Sequence, residues 1–313
     1  MNRDRDRTLP ILGAILLAVI LAGPLLPQWA LFLVTIAIAK GLVALGLMLL
    51  LRAGLLSFGQ ALYYCVGAYA AGSLGLVLGV SDMLVQMIAG AAAAALVAFI
   101  LGFLLARYRG IFFGLLSLAL SMILYGLLVK NEALGSTDGF NVLPTTVFGV
   151  RPTEASVRYV VVAVGCGVAL LATALVYRYL KTPLGQLAPA IKDNEIRVEY
   201  MGTSVRNAIH VMYVIAAALS GIGGALAATT VGHIDPDMAY WTTSGEFIFI
   251  TILAGTGSVV APFLGAMIFG IIHTVAFDLS PNTWQMSLGT ALLLVIVFLP
   301  NGLWSLFTRR KAA

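Results

Sequence analysis

Long runs of apolar residues, separated by short polar segments, make up most of this chain. Seven runs are long enough to cross a hydrocarbon layer of roughly 30 Å as helices. They cover residues 9–27, 30–51, 84–106, 110–129, 157–177, 208–231 and 285–304. Three more are less regular, because 57–79 is rich in glycine, 240–255 is short, and 259–277 follows after a very short turn. The pattern predicts an all-α polytopic membrane protein with about ten transmembrane helices, or eight if 240–277 is a re-entrant pair.

The segment 178–207 is the main polar interruption of this pattern. Pro183 suits the first turn of a helix, whereas Pro189 would break or kink a continuous helix. We therefore expect a short helix from about Pro189 to Tyr200, with Gly202 just beyond its end. Its mixed charges indicate either a solvated linker helix or a helix that lies along the membrane plane and docks into a soluble partner.

The composition supports a membrane protein and excludes several other classes. Of the 313 residues, 61% are hydrophobic and 10% are charged, whereas about one quarter of a soluble globular protein is charged. We expect residues 1–313 to form a single transmembrane domain. The net charge of +5 comes from cations scattered between apolar runs, so a nucleic-acid interface is excluded. Cys65 and Cys166 lie in apolar runs, and their spacing fits neither a disulfide nor a metal site.

Basic residues concentrate on one side of the predicted bundle. Ten spans place both termini on the same side, together with fourteen of the eighteen Lys and Arg residues. The fourteen are Arg3, Arg5, Arg7, Arg52, Arg107, Arg109, Arg178, Lys181, Lys192, Arg197, Arg206, Arg309, Arg310 and Lys311. Lys130, Arg151 and Arg158 lie on the other side, and Lys40 lies within a span. Because cations collect on the cytoplasmic side, both termini are predicted to be cytoplasmic. The first apolar run is expected to stay as an uncleaved helix rather than to be removed as a signal peptide.

Glycine-interrupted segments occur in both halves of the chain, at residues 54–72 and 245–270. Many transporters consist of two inverted repeats, and segments of this kind mark their translocation path. We therefore predict two inverted repeats, one on each side of the polar loop 178–207. An alternative is that these glycines only let helices pack closely, and the two roles are compatible.

A few polar residues inside the predicted spans are candidates for a solute path. Lys40 and Glu246 each place a charge inside a span, which is costly unless the charge faces protein or water. They could line the path or form a structural ion pair, and Lys40, for which a structural role is favoured, could also extend its charge to the interface. Ser57, Gln60 and Tyr63 open another run. A helix that begins there would offer free N–H groups to a carboxylate, whereas an ordinary interfacial helix end would not.

No catalytic or metal-binding motif is recognisable in the sequence. His210, His233 and His273 are far apart, and the chain has no metalloprotease motif, nucleophile elbow or phosphate-binding glycine loop. We therefore predict a transport protein without enzymatic activity, metal or cofactor of its own, so that any ATP is bound by partner subunits. A stand-alone channel or secondary transporter is an alternative, although ion-coupled carriers usually need carboxylates within their spans and only Glu246 is clearly there.

Several short motifs in a fixed order connect the chain to a known family. They are GLLSFGQA (54–61), GAY (67–69), RGIFFG (109–114), PLG (183–185), AIKDNE (190–195), MG (201–202), SGIGGA (220–225), GE (245–246), LAGTGS (253–258) and LPNG (299–302). In their order and spacing they resemble the permease subunits of branched-chain amino acid ABC importers. The resemblance covers about residues 40–304.

The resemblance implies a function and a set of partners. Such permeases lie in the cell inner membrane and work with a second homologous permease, two ABC ATPase subunits and an extracytoplasmic solute-binding protein. A cytoplasmic coupling helix passes the ATP-driven closure of the ATPases to the spans. On this chain the coupling positions would be Gly185, Ala190, Ile191, Asp193, Asn194, Glu195 and Gly202. The implied solute is a branched-chain or other hydrophobic amino acid, although the family also includes importers of urea, short amides and aromatic acids.

Overall fold

The computed structural model describes residues 8–151, 153, 156–279, 283–298 and 302–305. Eleven α-helices follow one another along these residues. They are α1 (Thr8–Ala22), α2 (Gln28–Arg52), α3 (Gln60–Leu78), α4 (Met83–Leu105), α5 (Gly110–Val129), α6 (Val157–Leu180), α7 (Pro183–Tyr200), α8 (Val205–Val231), α9 (Trp241–Ala254), α10 (Ala261–Leu279) and α11 (Trp284–Phe298). The basic residues of the two termini lie outside the described residues, so their cytoplasmic location stays a prediction.

The helices are those of a protein that lies in a membrane. Seven of them, α2 to α6, α8 and α10, are long and apolar enough to cross a membrane. α1, α9 and α11 are shorter, with 15, 14 and 15 residues. Large apolar side chains such as Leu21, Ile88 and Phe112 are exposed on the bundle surface, where a water-soluble fold would carry polar ones. The prediction of an all-α polytopic membrane protein is confirmed.

The polar helix α7 marks one end of the bundle, which we call the α7 end. The C-terminal end of α2 lies there, because Gly54 is packed beside Lys192 of α7. The turn between α9 and α10 lies there too, since Arg52 donates two hydrogen bonds to the carbonyl of Thr256. The residues that follow α11 return to the same end, where the N–H of Leu303 bonds to the last turn of α9.

The opposite end of the bundle carries the longest described connection, between α5 and α6. This connection includes strand β1 (Phe140–Asn141), which pairs in antiparallel register with β2 (His233–Ile234) after α8. The side chain of Asp82 caps α4 there by accepting hydrogen bonds from two N–H groups of its first turn. The β1–β2 pairing ties the two halves of the chain together at this end.

α3 begins inside the bundle rather than at one of its ends. Residues 53–59 leave the α7 end without forming a helix and reach α3 at Gln60. The side chain of Gln60 is fully buried and accepts a hydrogen bond from Ser220, midway along α8. The alternative of an ordinary interfacial helix end is therefore wrong.

α9 begins at a similar depth but is entered from the opposite end. The segment 232–240 leads into it, and the carbonyl of Ala239 accepts a hydrogen bond from Ser121, midway along α5. The 14 residues of α9 extend only about 21 Å, less than the hydrocarbon layer, so the preceding segment supplies the rest of the crossing. α10 then returns from the α7 end. Residues 240–277 therefore run towards the α7 end and back, as two crossings would, and the number of full crossings stays a prediction.

The two halves of the chain repeat one layout in opposite directions. In the first half, α2 is followed by an irregular segment, helix α3 and then α4. In the second half, α8 is followed by an irregular segment, α9 and then α10, starting from the other end. α2 and α8 pack together at the centre, α4 packs on α8, and α10 packs on α2. The predicted inverted repeats are visible in this order of contacts.

Glycines allow the central helices to approach closely. A methyl group at Gly224 of α8 would overlap the backbone of Tyr64 in α3. One at Gly221 would overlap the backbone of Gly90 in α4, and one at Gly67 would overlap Gly221. Small residues at such crossings are the usual means of close helix packing in membranes. The packing role expected for the glycine-rich segments is confirmed at Gly67, whereas Gly221 and Gly224 lie outside those segments.

α7 differs from the prediction in where it begins and where it breaks. It begins at Pro183 rather than near Pro189, because Thr182 caps it by accepting a hydrogen bond from the N–H of Gly185 at 3.3 Å. Pro189 lies inside the helix, where it costs one backbone hydrogen bond. The break falls instead at Asn194, whose backbone leaves the helical region with φ −160° and ψ 99°.

Candidate functional site

α7 packs one face on the bundle and exposes the other. The packed face consists of Gly185, Ala188, Ile191 and Val198, all of which are buried. Gly185 lies so close to the end of α6 that a methyl group there would overlap the backbone of Tyr179. Of the predicted coupling positions, Gly185 and Ile191 therefore hold α7 against the bundle and are not available to a docked partner.

The exposed face of α7 carries most of the other predicted coupling positions. Ala190, Asp193 and Asn194 are exposed. Gly202 follows the helix, is also exposed, and has a φ of +83° that favours glycine. A soluble protein that reached the α7 end could contact all four, and their role in coupling stays a prediction.

Three apolar side chains near the end of α7 are also exposed, and the sequence analysis does not identify them. Ile196, Tyr200 and Met201 are 65%, 88% and 76% exposed. Exposed apolar groups that cluster in this way mark contacts with proteins or membranes. The signal was present in the sequence, because Ile196 and Tyr200 are spaced to lie on one side of a polar helix.

Glu195 differs from its neighbours because it has a partner within the chain. Arg109 donates from Nε to Oε2 of Glu195 at 2.8 Å and from Nη2 to Oε1 at 2.7 Å. The two side chains are 31% and 33% exposed. The same guanidinium donates to the carbonyls of Ala106 and Tyr108. Glu195 thus binds the turn between α4 and α5, which sequence spacing alone could not show.

The candidate path residues Ser57, Gln60 and Tyr63 lie together where α3 and α9 begin, a place that we call the junction. All three are fully buried. The N–H of Ala61 in the first turn of α3 donates to Oγ of Ser244 in the first turn of α9, at 3.1 Å. The helices α3 and α9 therefore meet at their N-terminal ends. The sequence analysis does not identify Ser244 as a member of this site.

The junction brings two helix N-termini together and has an unused hydrogen-bond donor. Each helix N-terminus carries about half an elementary positive charge, and two of them meet here. Oε1 of Gln60 accepts from Ser220 at 2.7 Å, whereas Nε2 is buried without a hydrogen-bond partner among the described residues. A carboxylate is the group that such an arrangement favours.

An apolar cavity lies beside the irregular segment that leads to the junction. It has a volume of about 350 Å³ and lies between the irregular segment 53–59 and α5. Its walls are apolar, with Leu56, Phe58, Ile111 and Leu115 among them. Phe58 of its lining is adjacent in sequence to Ser57, and the residues of the junction themselves are fully buried.

Lys40 and Glu246 form an ion pair between α2 and α9. Nζ of Lys40 lies 2.6 Å from Oε2 of Glu246, and the side chains are 22% and 26% exposed. The ammonium group also lies 5.5 Å from the ring centre of Phe269 in α10, within the range of a cation–π contact. Lys40 lines a cavity of about 480 Å³ that extends to Trp29 and His273. The expected ion pair is present, and extension of Lys40 to the interface is wrong. The role of Lys40 and Glu246 on the solute path stays a prediction.

The described side chains offer binding surfaces rather than reactive groups. Within the described ranges, no group of three or more His, Cys, Asp and Glu residues is arranged to hold a metal ion. The junction and the apolar cavity beside it are suited to a small molecule that has a carboxylate and an apolar part. The exposed face of α7 is suited to a protein.

Comparisons with known proteins agree on one family. The family model described as the permease component of the branched-chain amino acid transport system matches residues 29–297. The chain is 28% identical over 274 residues to the high-affinity branched-chain amino acid transport system permease protein LivM of Escherichia coli K12. It is 25% identical over 268 residues to the corresponding protein BraD of Pseudomonas aeruginosa. Each match covers 80% of this chain, with 64% of LivM and 86% of BraD, so the chain spans less than two thirds of LivM. No solved structure matches.

Proposed function

The chain belongs to the family of permease components of branched-chain amino acid transport systems, and on this basis we propose that it is the permease subunit of an ATP-driven ABC importer. In this role it passes a small solute from a binding protein into the cytoplasm. The observation that carries the proposal is α7, a polar helix held firmly on one end of an apolar bundle with its other face exposed. An exposed, partly apolar face on a fixed polar helix is suited to docking of a soluble partner.

The α7 end is proposed to face the cytoplasm in a cell inner membrane. Eight basic residues of the described chain lie at this end, and they are Arg52, Arg107, Arg109, Arg178, Lys181, Lys192, Arg197 and Arg206. Of the described basic residues, only Lys130, Arg151 and Arg158 lie at the opposite end. This asymmetry has the direction of the positive-inside rule, and it supports cytoplasmic termini because the chain after α11 also returns to the α7 end.

The partners follow from the two ends of the bundle. An ABC ATPase is proposed to dock on the exposed face of α7, with Ala190, Asp193 and Asn194 as polar contacts and Ile196 and Tyr200 as apolar ones. A second homologous permease with a second ATPase completes the complex, and the solute-binding protein docks at the opposite end. The ATPases bind ATP, and this chain binds no cofactor.

The solute is proposed to be a branched-chain or other hydrophobic amino acid. The junction favours a carboxylate, and the cavity beside it has apolar walls. Urea and short amides lack the carboxylate, whereas aromatic acids have it and stay as the alternative within the family. The relatives are named for branched-chain amino acid transport, which supports the first choice.

Reconstitution of the complex tests this function. We expect the chain to co-purify with two ATPase subunits when expressed with its partners, and proteoliposomes to take up labelled leucine only with ATP and the binding protein. Matched vesicles with a non-hydrolysable ATP analogue serve as the control. Competition by valine, benzoate and urea then ranks the solute classes.

The same experiment separates the competing functions. Uptake by vesicles that contain this chain alone, without ATP, would overturn the importer and indicate a channel or secondary transporter. ATP-dependent uptake that benzoate or urea blocks more strongly than valine would keep the importer and change its solute.

A further inference from the structure

The pair formed by Arg109 and Glu195 is the only ion pair between α7 and the rest of the described chain. Its geometry is bidentate, with both carboxylate oxygens held at 2.7–2.8 Å. A planar guanidinium that binds a carboxylate in this way fixes direction as well as distance. The remaining contacts of α7 with the bundle are packing contacts such as that between Lys192 and Gly54.

The pair lies at a point where α7 is divided. Asn194 interrupts the helix, and its side chain starts the second part by accepting a hydrogen bond from the N–H of Arg197 at 3.0 Å. Glu195 is the first residue of that second part, which also presents Ile196 and Tyr200. Glu195 therefore connects this exposed part of α7 to Arg109, so movement of the exposed part displaces Glu195 relative to Arg109.

A series of contacts connects Arg109 with the interior of the bundle. Arg109 is the N-cap residue of α5, so displacement of its side chain bears directly on the start of that helix. Two turns further along α5, Oγ of Ser117 accepts a hydrogen bond from the N–H of Phe58 at 3.0 Å. Phe58 lies in the segment that leads into α3, and Ala61 then bonds to Ser244 of α9.

We propose that the Arg109–Glu195 pair transmits movement of α7 to α5 and so to the junction where α3 and α9 meet. Glu195 is then a positioning residue that acts through Arg109, and it is not a contact for the ATPase. This proposal rests on the proposed function, because it needs an ATPase that moves α7. The predicted docking role stays with the exposed residues Ala190, Asp193 and Asn194. Glu195 is no longer assigned to docking.

The test measures coupling in the reconstituted complex with leucine as the solute. We expect Glu195→Gln and Arg109→Gln to lower leucine-stimulated ATP hydrolysis at least about 5-fold, the lower end of typical coupling factors, while the ATPases still co-purify. The exchange of both residues, Arg109→Glu with Glu195→Arg, should restore part of the loss. Glu199→Gln removes the same charge four residues further on, at an exposed position, and should behave as wild type.

The outcomes distinguish this proposal from the proposed function. Absence of ATP-dependent uptake by the wild-type complex would overturn both the proposed function and the transmission proposal. Wild-type uptake together with full leucine stimulation in Glu195→Gln and Arg109→Gln would overturn the transmission proposal alone. Loss of ATPase co-purification in Glu195→Gln but not in Arg109→Gln would also overturn it, because Glu195 would then be a docking contact.

Discussion

The polar side chains of the bundle interior show how far single residues can be understood from sequence. The sequence identifies Lys40 and Glu246 as charges that need a partner, but 206 residues separate them, so only the fold shows that they are partners of each other. Gln60 is recognisable as a polar residue near a helix start. Its buried contact with Ser220 depends on a close helix crossing that no local pattern encodes.

Single substitutions in the Lys40–Glu246 pair are expected to destabilise the protein more than the double substitution. Removing one member of a buried ion pair costs about 3–5 kcal/mol, and the loss here is smaller because both side chains are partly exposed. We expect Lys40→Met or Glu246→Met to reduce membrane abundance and Lys40→Met with Glu246→Met to restore it. Abundance and leucine uptake are measured side by side in the three variants.

The double variant also decides the role of the pair. Wild-type uptake by the double variant would assign the pair to structure alone. Normal abundance with no uptake would place the pair on the solute path. Equal loss of abundance in all three variants would contradict the expected recovery.

Gln60→Leu is expected to weaken transport of carboxylate solutes without unfolding the chain. A hydrogen bond to a charged group contributes about 1.5–3 kcal/mol, so kcat/KM for leucine uptake should fall at least about tenfold. Ser220 keeps its bond to the carbonyl of Ala216, which limits the structural cost. Leucinamide lacks the carboxylate, so it should compete with leucine for uptake more strongly in Gln60→Leu than in the wild type. The same binding protein is present in both cases. An unchanged ratio of leucine to leucinamide uptake would remove the junction from the path.

At the scale of helices, hydropathy predicts which segments are apolar but not how much of each is helical. The apolar segment that contains α3 also covers residues of the irregular segment before it. These residues need no helix, because their backbone groups find partners inside the protein rather than in lipid. The start of α7 was misplaced because the Thr182 cap outweighs the effect of Pro189.

Close helix crossings make some glycines far more sensitive than others. Gly224→Ala would force a methyl group into the backbone of Tyr64, and such overpacking costs about 1–3 kcal/mol or more. Gly167→Ala in α6 meets no atom within 4 Å and should be neutral. Thermal unfolding of both variants in detergent checks the contrast, and equal melting temperatures would contradict the packing of α3 on α8.

At the scale of the whole molecule, the inverted layout gives the two ends of the bundle different tasks. The irregular segments enter from opposite ends and stop at the same depth, so the junction lies between the two halves. Hydrophobic pattern predicted about ten crossings, or eight with a re-entrant pair, and charge predicted both termini on one side. They could not predict the junction, because it depends on which helices touch, and that is fixed by small residues far apart in sequence.

The proposed orientation predicts which residues an impermeant thiol reagent can reach. Cys65 and Cys166 are buried, and their replacement by alanine gives a background for single cysteines. In cells with an opened outer membrane, Glu132→Cys at the opposite end should react with an impermeant maleimide, and Asp193→Cys on α7 should react only after the inner membrane is permeabilised. Both positions are exposed, so equal reaction in detergent is the control for intrinsic reactivity. Reaction of Asp193→Cys in intact cells would place α7 outside, where no ATPase could reach it, and the importer mechanism would lose its physical basis.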